Sequence, residues 1–194
     1  MSEIKTPFTG NAEADRLLTE NPLALLTGML LDQQVTMEFA FGAPLVLEQR
    51  LAEVGVELEA PAIAALSDEQ VDEIFRRRPA LHRFPGSMGQ RTHALCIYLV
   101  EHHDGRAEAV WKGVADAAEL LRRVEALPGF GKAKARIFVG VLGKRLGVRP
   151  KGWEQAAADW ASIADVDTFA RIGEIRDAKR AAKAQKKAPT KPRP

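Results

Sequence analysis

Residues 127–135, LPGFGKAKA, have the residue types and spacing of a phosphate-binding turn. The segment lies between two predicted helices, residues 116–126 and 132–146. Gly129 and Gly131 permit positive φ and leave no side chain between the backbone and a ligand. Because the second helix begins directly after the turn, its free N–H groups and the positive end of its dipole face outward. A phosphate oxygen suits such donors, so the turn predicts a backbone contact to nucleic acid that carries no sequence information.

Three further residues of this turn complete its predicted contact set: Phe130, Lys132 and Lys134. The two lysines are expected to add positive charge beside a bound phosphate. The alternative is a tight corner between two helices that uses glycine only for close packing. Because a leucine–proline–glycine–x–glycine turn between helices is more specific than a lone glycine pair, we favour the nucleic-acid contact.

The charge of the chain is unevenly distributed. The whole sequence has a net charge of +2, with 28 basic and 26 acidic residues. Residues 176–194 contain eight basic residues and a single acid, so this segment carries +7 and the remainder carries −5. A basic tail on a mildly acidic body favours attraction to a polyanion through phosphate neutralisation. The alternative is a solubilising tail with no partner.

Several classes of protein are excluded by composition. The single cysteine, Cys96, excludes a disulfide framework and any four-thiolate iron–sulfur or zinc site. His102 and His103 are adjacent, about 100° apart on a helix, and are expected to end that helix rather than bind a metal. The longest uncharged apolar stretch, residues 21–31, is too short to span a bilayer. We expect a cytoplasmic, nucleoid-associated monomer with no cofactor and no membrane contact.

Apolar spacing and capping residues predict an all-α fold. Asn21 caps a helix that has proline at its first position, and Ser67 with Gln70 forms a capping box. Gly42 and Pro44 are expected to break the helix in which they lie. The predicted helices cover residues 22–34, 44–54, 67–78, 87–103, 116–126, 132–146, 154–160 and 168–187. No pair of alternating strands is visible.

The turn of residues 127–135 with its two flanking helices forms a predicted helix–hairpin–helix, and a second segment connects this hairpin to a known family. Residues 30–36, LLDQQVT, resemble the early L-L-x-x-Q-x-T/S segment of the DNA glycosylase superfamily typified by endonuclease III, known as HhH-GPD. Residues 91–94, which follow Phe84-Pro85-Gly86, resemble its mid-domain segment. Together with the hairpin, the resemblance covers about residues 20–150. It implies an all-α fold with two helical lobes and a base-binding cleft between them, followed here by a basic C-terminal helix and tail.

The resemblance also implies a division of the chain and a role for one glutamine. Residues 1–19 would be an N-terminal extension, 20–153 the glycosylase-like domain, 154–187 the C-terminal helices and 188–194 a disordered tail. Gln34 occupies the position at which the family inserts a glutamine into the gap left by an extruded base. The partner implied is double-stranded DNA. The alternative for Gln34 is a solvated residue at a helix end.

The catalytic lysine of the family is missing. Bifunctional members have a lysine two residues beyond the second hairpin glycine, where this chain has Ala133. Lys132 and Lys134 are each rotated by about 100° from that position on a helix, so neither replaces it. A Schiff-base lyase is therefore not expected. A monofunctional glycosylase remains open, since it needs only a carboxylate that activates water or stabilises the sugar cation.

The position of that carboxylate stays open. The aspartate of the family would fall at Lys151, in the Gly/Pro-rich loop of residues 147–153. An alignment on Gly147 places Glu154 there instead, and Asp167 lies in a later VDT sequence that resembles the family's own. Two more acidic residues, Asp32 and Glu38, flank the glutamine segment. Each of these four also has a simple structural explanation, as a helix N-terminal or solvated acid.

Three functions therefore follow from the sequence. The first is a monofunctional DNA glycosylase that cleaves the N-glycosidic bond of a damaged base in duplex DNA. The second is a DNA lesion-binding protein on the same scaffold without catalysis, which the lysine at position 151 favours. The third, a helical interaction protein that does not bind DNA, is disfavoured by the hairpin. Trp111, Trp153 and Trp160 are expected to be core residues, as aromatic residues at helix boundaries usually are, and Trp153 is the best placed of the three to stack on a flipped base instead.

Overall fold

The computed structural model describes residues 3–187, so the predicted tail of residues 188–194 lies outside the described residues. The prediction of an all-α protein is confirmed: this part of the chain contains ten α-helices and no strand. The helices are α1 (Ala12–Glu20), α2 (Pro22–Leu31), α3 (Met37–Glu53), α4 (Ala60–Ala64), α5 (Asp68–Arg76), α6 (Pro85–His103), α7 (Ala117–Glu125), α8 (Lys132–Arg145), α9 (Trp153–Ala156) and α10 (Arg171–Lys187). Two short 3-10 helices cover Ala107–Val110 and Ile163–Asp165.

Local capping explains why several helices begin where the sequence predicts. The side chain of Asn21 accepts hydrogen bonds from the amides of Leu23 and Ala24, and Pro22 follows at the first helical position. The capping box of Ser67 and Gln70 is formed at the start of α5. These contacts satisfy amides that a helix start otherwise leaves without partners.

The predicted break at Gly42 and Pro44 is wrong. The helix α3 begins at Met37, capped by Thr36, and continues through Pro44 to Glu53. Pro44 removes one amide donor, but the seventeen-residue helix buries its apolar face against α1 and α2. Tertiary packing thus outweighs the local cost of the proline. Other boundaries also differ from the prediction, since α2 ends at Leu31, before the predicted residue 34.

The core is centred on α2. Every residue from Leu23 to Leu31 is buried, with α1, α3 and α6 packed around the helix. Residues of the predicted N-terminal extension, Phe8 and Leu18, contribute to this core. Phe8 is fully buried and packs edge-to-face on Phe41 of α3, with ring centroids 5.1 Å apart. Among residues 3–187, no helix is long and apolar enough to cross a membrane.

The second half of the chain assembles around α8. The helices α7 and α9 and the short turn Ile163–Asp165 pack against it. A Cβ on Gly143 would collide with the Trp153 ring, so this glycine is needed for the contact between α8 and α9. The helix α10 returns to the first half, where Arg176 forms an ion pair with Glu38 of α3.

A buried arginine holds α3 to the segment that follows α5. The Arg50 guanidinium donates to the carbonyl oxygens of Ile74 and Pro79, each at 2.6 Å. Arg50 is buried, and these two oxygens replace the water that it loses on folding. The contact fixes the start of the segment that leads to residue 81.

We expect Arg50→Met to lower the free energy of unfolding by about 3 kcal/mol, because two carbonyl oxygens lose their donor. Urea denaturation followed by circular dichroism measures this change. The matched control is Arg122→Met, at an exposed position of α7, which should stay within about 0.5 kcal/mol of the wild type. Equal denaturation midpoints for the two variants would contradict the structural role of Arg50.

Candidate nucleic-acid interface

The hairpin between α7 and α8 presents backbone amides that donate to no acceptor within residues 3–187. The amide of Phe130 donates to the carbonyl of Leu127 at 3.0 Å, which closes the turn. Gly131 then caps α8 without any side-chain acceptor. Within residues 3–187, the amides of Gly131, Lys132 and Ala133 have no hydrogen-bond acceptor, and all three residues are exposed. Side-chain oxygens, by contrast, cap the first turns of α1, α2, α3, α5 and α7.

The two hairpin glycines serve different purposes. Gly129 has a φ of 82°, and a Cβ at this position would collide with Cδ1 of Leu30. Gly129 is therefore required by backbone conformation and by close packing on α2. A Cβ on Gly131 would meet nothing within 4 Å. The packing explanation accordingly accounts for Gly129, whereas the open surface beside the free amides lies at Gly131. Phe130 is buried and anchors the turn in the core.

Lys134 does not share the surface with Lys132. Its Nζ donates to the carbonyl oxygens of Met29 at 2.7 Å and Leu30 at 2.8 Å, both at the end of α2. Burial lowers the pKa of Lys134 from 10.5 to about 8, while the Asp32 carboxylate opposes this shift and the Arg91 charge adds to it. The expectation that Lys134 faces a bound phosphate therefore does not fit the structure. This lysine instead joins the hairpin helix to α2.

His82 also binds the C-terminal end of α2. Its Nδ1 accepts from the amide of Phe84 at 3.0 Å, so the proton is carried by Nε2. Nε2 lies 3.1 Å from the carbonyl oxygen of Leu31 and 3.0 Å from that of Gln33, to which it donates. Burial lowers the pKa of His82, which favours the neutral ring, although the two carbonyls oppose this shift. Neither of these contacts was anticipated from the sequence.

Gln34 lies in the short loop between α2 and α3. Its φ of 57° places it in the left-handed region, and the residue is exposed. This conformation costs a residue with a Cβ about 1 kcal/mol or more, and such strain concentrates at functional sites. The loop is pinned immediately before Gln34, because Gln33 donates to Leu30 O at 2.9 Å and accepts from Arg91 at 3.0 Å.

The hairpin and the Gln34 loop are direct neighbours. Gly129 packs against Leu30, and the Arg91 side chain lies 4.0 Å from where a Gly129 Cβ would be. Exposed Arg83 stacks on the exposed Phe84 ring, with 5.4 Å between guanidinium and centroid. The structure thus brings together free amides, the strained glutamine and several positive side chains. The sequence offered one signal for the missed residues, the basic and aromatic run HRFPG at positions 82–86.

The two sequence-predicted catalytic acids lie elsewhere. Glu154 is exposed on α9, beside Trp153, which packs on Gly143. With a rise of about 1.5 Å per residue, Gly143 lies about 16 Å along α8 from the hairpin end. Asp167 is exposed, 4.0 Å from Arg171, and follows Val166, whose carbonyl oxygen accepts from Arg145 at the far end of α8. The structure therefore brings neither acid to the hairpin.

Of the other two candidate acids, Asp32 is the one beside the hairpin helix. Asp32 directly follows α2 and is close enough to Lys134 to stabilise its charge. It also lies two residues before Gln34. Glu38, in the first turn of α3, is paired with Arg176.

The remaining candidates have structural explanations. Cys96 is fully buried, and burial raises the pKa of its thiol to about 12. Trp111 is buried against Phe138, and Trp153 covers Gly143. Trp160 is exposed, with the Arg136 guanidinium 4.9 Å from its ring centroid. No group of three or more histidine, cysteine or acidic residues in the described part of the chain has a geometry that would hold a metal ion.

Comparison with known proteins leaves the family of the chain open. No model of a protein family matches the sequence, and no characterised protein matches it at a significant level. The resemblance given by the hairpin and the glutamine segment therefore depends on short motifs and on their placement in the fold.

The lowered pKa of Lys134 predicts a specific pH dependence of stability. Between pH 8 and 10.5 the unfolded chain keeps the proton on this amine while the folded chain releases it, so stability rises with pH across that window. We expect the difference in unfolding free energy between wild type and Lys134→Met to grow in favour of the wild type as pH increases from 8 to 10. Denaturation at several pH values measures this difference. A difference that is constant over the window would mean that the amine titrates normally in the folded state.

Proposed function

We propose that this protein binds duplex DNA through the hairpin and inserts Gln34 into the base stack at a damaged nucleotide. The observation that carries the proposal is the set of unoccupied amides at Gly131, Lys132 and Ala133, next to the exposed loop of Gln34. Three adjacent N–H donors at the start of a fourteen-residue helix suit the oxygens of one phosphate group. Contact to backbone alone would position the duplex without reading its sequence.

Positive charge around these amides supports the same partner. Lys132, Arg83 and Arg91 are exposed near the hairpin and the Gln34 loop. Each can neutralise a phosphate and release a bound counterion. The basic sequence of residues 176–194 adds attraction over roughly a Debye length of about 8 Å at physiological salt.

The strained backbone of Gln34 supports a role in the stack. Extruding a base leaves a gap, and a side chain that fills it offsets part of the lost stacking energy. An amide side chain also offers both a donor and an acceptor to the orphaned base. Because Arg91 holds the loop at Gln33, the Gln34 side chain would enter the duplex from a fixed backbone position.

The chemistry that we propose is hydrolysis of the N-glycosidic bond without a covalent lysine intermediate. Ala133 occupies the lysine position of the resembling family, and the Lys134 amine is engaged with α2. Asp32 is the acid best placed to activate water or to stabilise a sugar cation, since it follows α2 two residues before Gln34 and is close enough to Lys134 of α8 to stabilise its charge. In this arrangement α1–α6 and α7–α9 form the two lobes, and DNA lies where the hairpin meets the Gln34 loop.

A second candidate function is lesion binding without catalysis. The lysine at position 151, where the resemblance places the catalytic aspartate, favours it. So does the distance of Glu154 and Asp167 from the hairpin, because neither acid can serve the same site as Gln34. The two candidate functions share the DNA-binding surface and differ only in whether a base is released.

Gly131→Asp separates phosphate binding from folding. The position has the extended backbone of a helix N-cap and open space around its Cβ, so the new carboxylate would accept from the free amides of α8. We expect the variant to be about 1 kcal/mol more stable and yet to bind every duplex about tenfold more weakly. Fluorescence anisotropy with damaged and undamaged duplexes, beside thermal denaturation, measures both effects.

Gly131→Asn is the matched control, because it caps the same amides without the negative charge. It should weaken binding less than Gly131→Asp does, and Gly131→Ala should leave binding nearly unchanged. Duplex affinity that is unaffected by Gly131→Asp would remove the hairpin from the interface.

A panel of lesions tests catalysis. The protein is incubated with duplexes containing uracil, alkylated or oxidised bases, and alkali then cleaves any abasic site. We expect at least one lesion to yield product, and Asp32→Asn to slow the single-turnover rate by about 100-fold or more. Glu154→Gln and Asp167→Asn are the matched controls and should retain the rate.

Two results would revise this view. Lesion binding without product across the panel would favour the non-catalytic function. A rate that falls with Glu154→Gln or Asp167→Asn but not with Asp32→Asn would reassign the catalytic acid.

A further inference from the structure

One buried side chain, His82, contacts the peptide unit that leads into Gln34. The ring is 2% exposed and belongs to the connection between α5 and α6. Its Nε2 donates to the carbonyl oxygen of Gln33 at 3.0 Å. That carbonyl and the amide nitrogen of Gln34 belong to the same planar peptide unit. A donor that holds the oxygen therefore also holds the plane from which the φ angle of Gln34 is measured.

The His82 ring is itself held at both nitrogens. Nδ1 accepts from the amide of Phe84, the residue that caps α6, at 3.0 Å. The hydrogen on Nε2 is shared with the carbonyl oxygen of Leu31, the last residue of α2, at 3.1 Å. The ring cannot turn without breaking one of these bonds. It therefore fixes the Gln33 carbonyl relative to the ends of two long helices.

The backbone of Gln34 requires support of this kind. A residue with a Cβ rarely adopts a φ of 57°, and such a conformation persists only where the surrounding structure imposes it. Arg91 and the carbonyl oxygen of Leu30 hold the side chain of Gln33. His82 holds the backbone carbonyl of the same residue. The position of the side chain and the orientation of the peptide plane are thus fixed by separate contacts.

We propose that His82 is a positioning residue for Gln34, which keeps the glutamine in its left-handed conformation and ready to enter a gap in the base stack. This inference depends on the proposed function, because it assumes that Gln34 enters the duplex. A loop that had to become ordered on binding would lose affinity to the entropy of ordering. His82 should therefore set the preference for a gapped stack, whereas the hairpin amides set the affinity for any duplex.

NMR relaxation of the full chain tests the positioning without DNA. We expect the Gln34 amide to have an order parameter of about 0.85 in the wild type and below about 0.6 in His82→Ala. His82→Gln should restore the rigid loop, because its side-chain amide reaches the position of Nε2 and can donate to Gln33. His82→Asn should not restore it, since its shorter side chain places the amide near the position of Nδ1.

Duplex binding tests the consequence. Fluorescence anisotropy compares an intact duplex with one that contains a tetrahydrofuran abasic-site analogue, in which the gap is already open. We expect His82→Ala to lower the preference for the gapped duplex about tenfold and to change the affinity for the intact duplex less than twofold. In a Gln34→Ala background, His82→Ala should cause no further loss of preference, because the two residues act on one interaction.

His93 provides the matched control. It is also a buried histidine with two contacts, to Asp68 at 3.0 Å and to the carbonyl oxygen of Ala64 at 3.3 Å. His93→Ala should leave the order of Gln34 and the preference for the gapped duplex unchanged. Circular dichroism of each variant establishes that the fold is retained. The contrast between His82→Gln and His82→Asn decides the question even where His82→Ala does not fold.

The outcomes separate this inference from the proposed function. A Gln34 amide that stays rigid in both His82→Ala and His82→Asn, or becomes equally mobile in His93→Ala, would overturn the positioning role of His82. A preference for the gapped duplex that requires Gln34 but not His82 would overturn it as well, and would leave the proposed function intact. Conversely, loop order that depends on His82, in a protein that binds both duplexes equally, would support the positioning and overturn the insertion of Gln34.

Discussion

The last carbonyl groups of α2, at its buried end, impose the arrangement on which the proposed site depends. A helix leaves its last carbonyl oxygens without partners, and a buried end must find donors elsewhere. In this chain the donors come from distant segments, because Lys134 binds Met29 and Leu30 while His82 binds Leu31. Satisfying one helix end thus brings the hairpin and the α5–α6 connection to the Gln34 loop. The position of the proposed binding surface follows from a requirement of the core.

This arrangement also explains why the two lysines of the hairpin differ so strongly. Lys132 and Lys134 are two residues apart on a helix and point in directions about 200° apart. The first is exposed beside the free amides, whereas the second is drawn inward by two carbonyl oxygens. Charge near a binding turn is therefore not equivalent to charge on its surface. Position along the helix decides whether a lysine serves the ligand or the scaffold.

Features fixed by local backbone chemistry were predictable from the sequence, and features fixed by packing were not. The capped starts of α2 and α5 and the hairpin itself depend on neighbouring residues, so their sequence patterns were sufficient. The continuous helix through Pro44 depends on burial against α1 and α2, which no local pattern contains. The same holds for the acids. Whether Asp32 or Glu154 lies near the hairpin is decided by which helix each one packs on.

The contact between Gly10 and Phe169 has a consequence for biosynthesis. The Phe169 ring rests on Gly10, and the nearby Phe8 is part of the central core. The two partners are separated by almost the whole length of the polypeptide, and contacts of such long sequence separation form late and slowly. A nascent chain on the ribosome can place the Phe169 ring on Gly10 only after residue 169 has left the exit tunnel. Until then Gly10 lacks the cover that the Phe169 ring gives it in the folded protein.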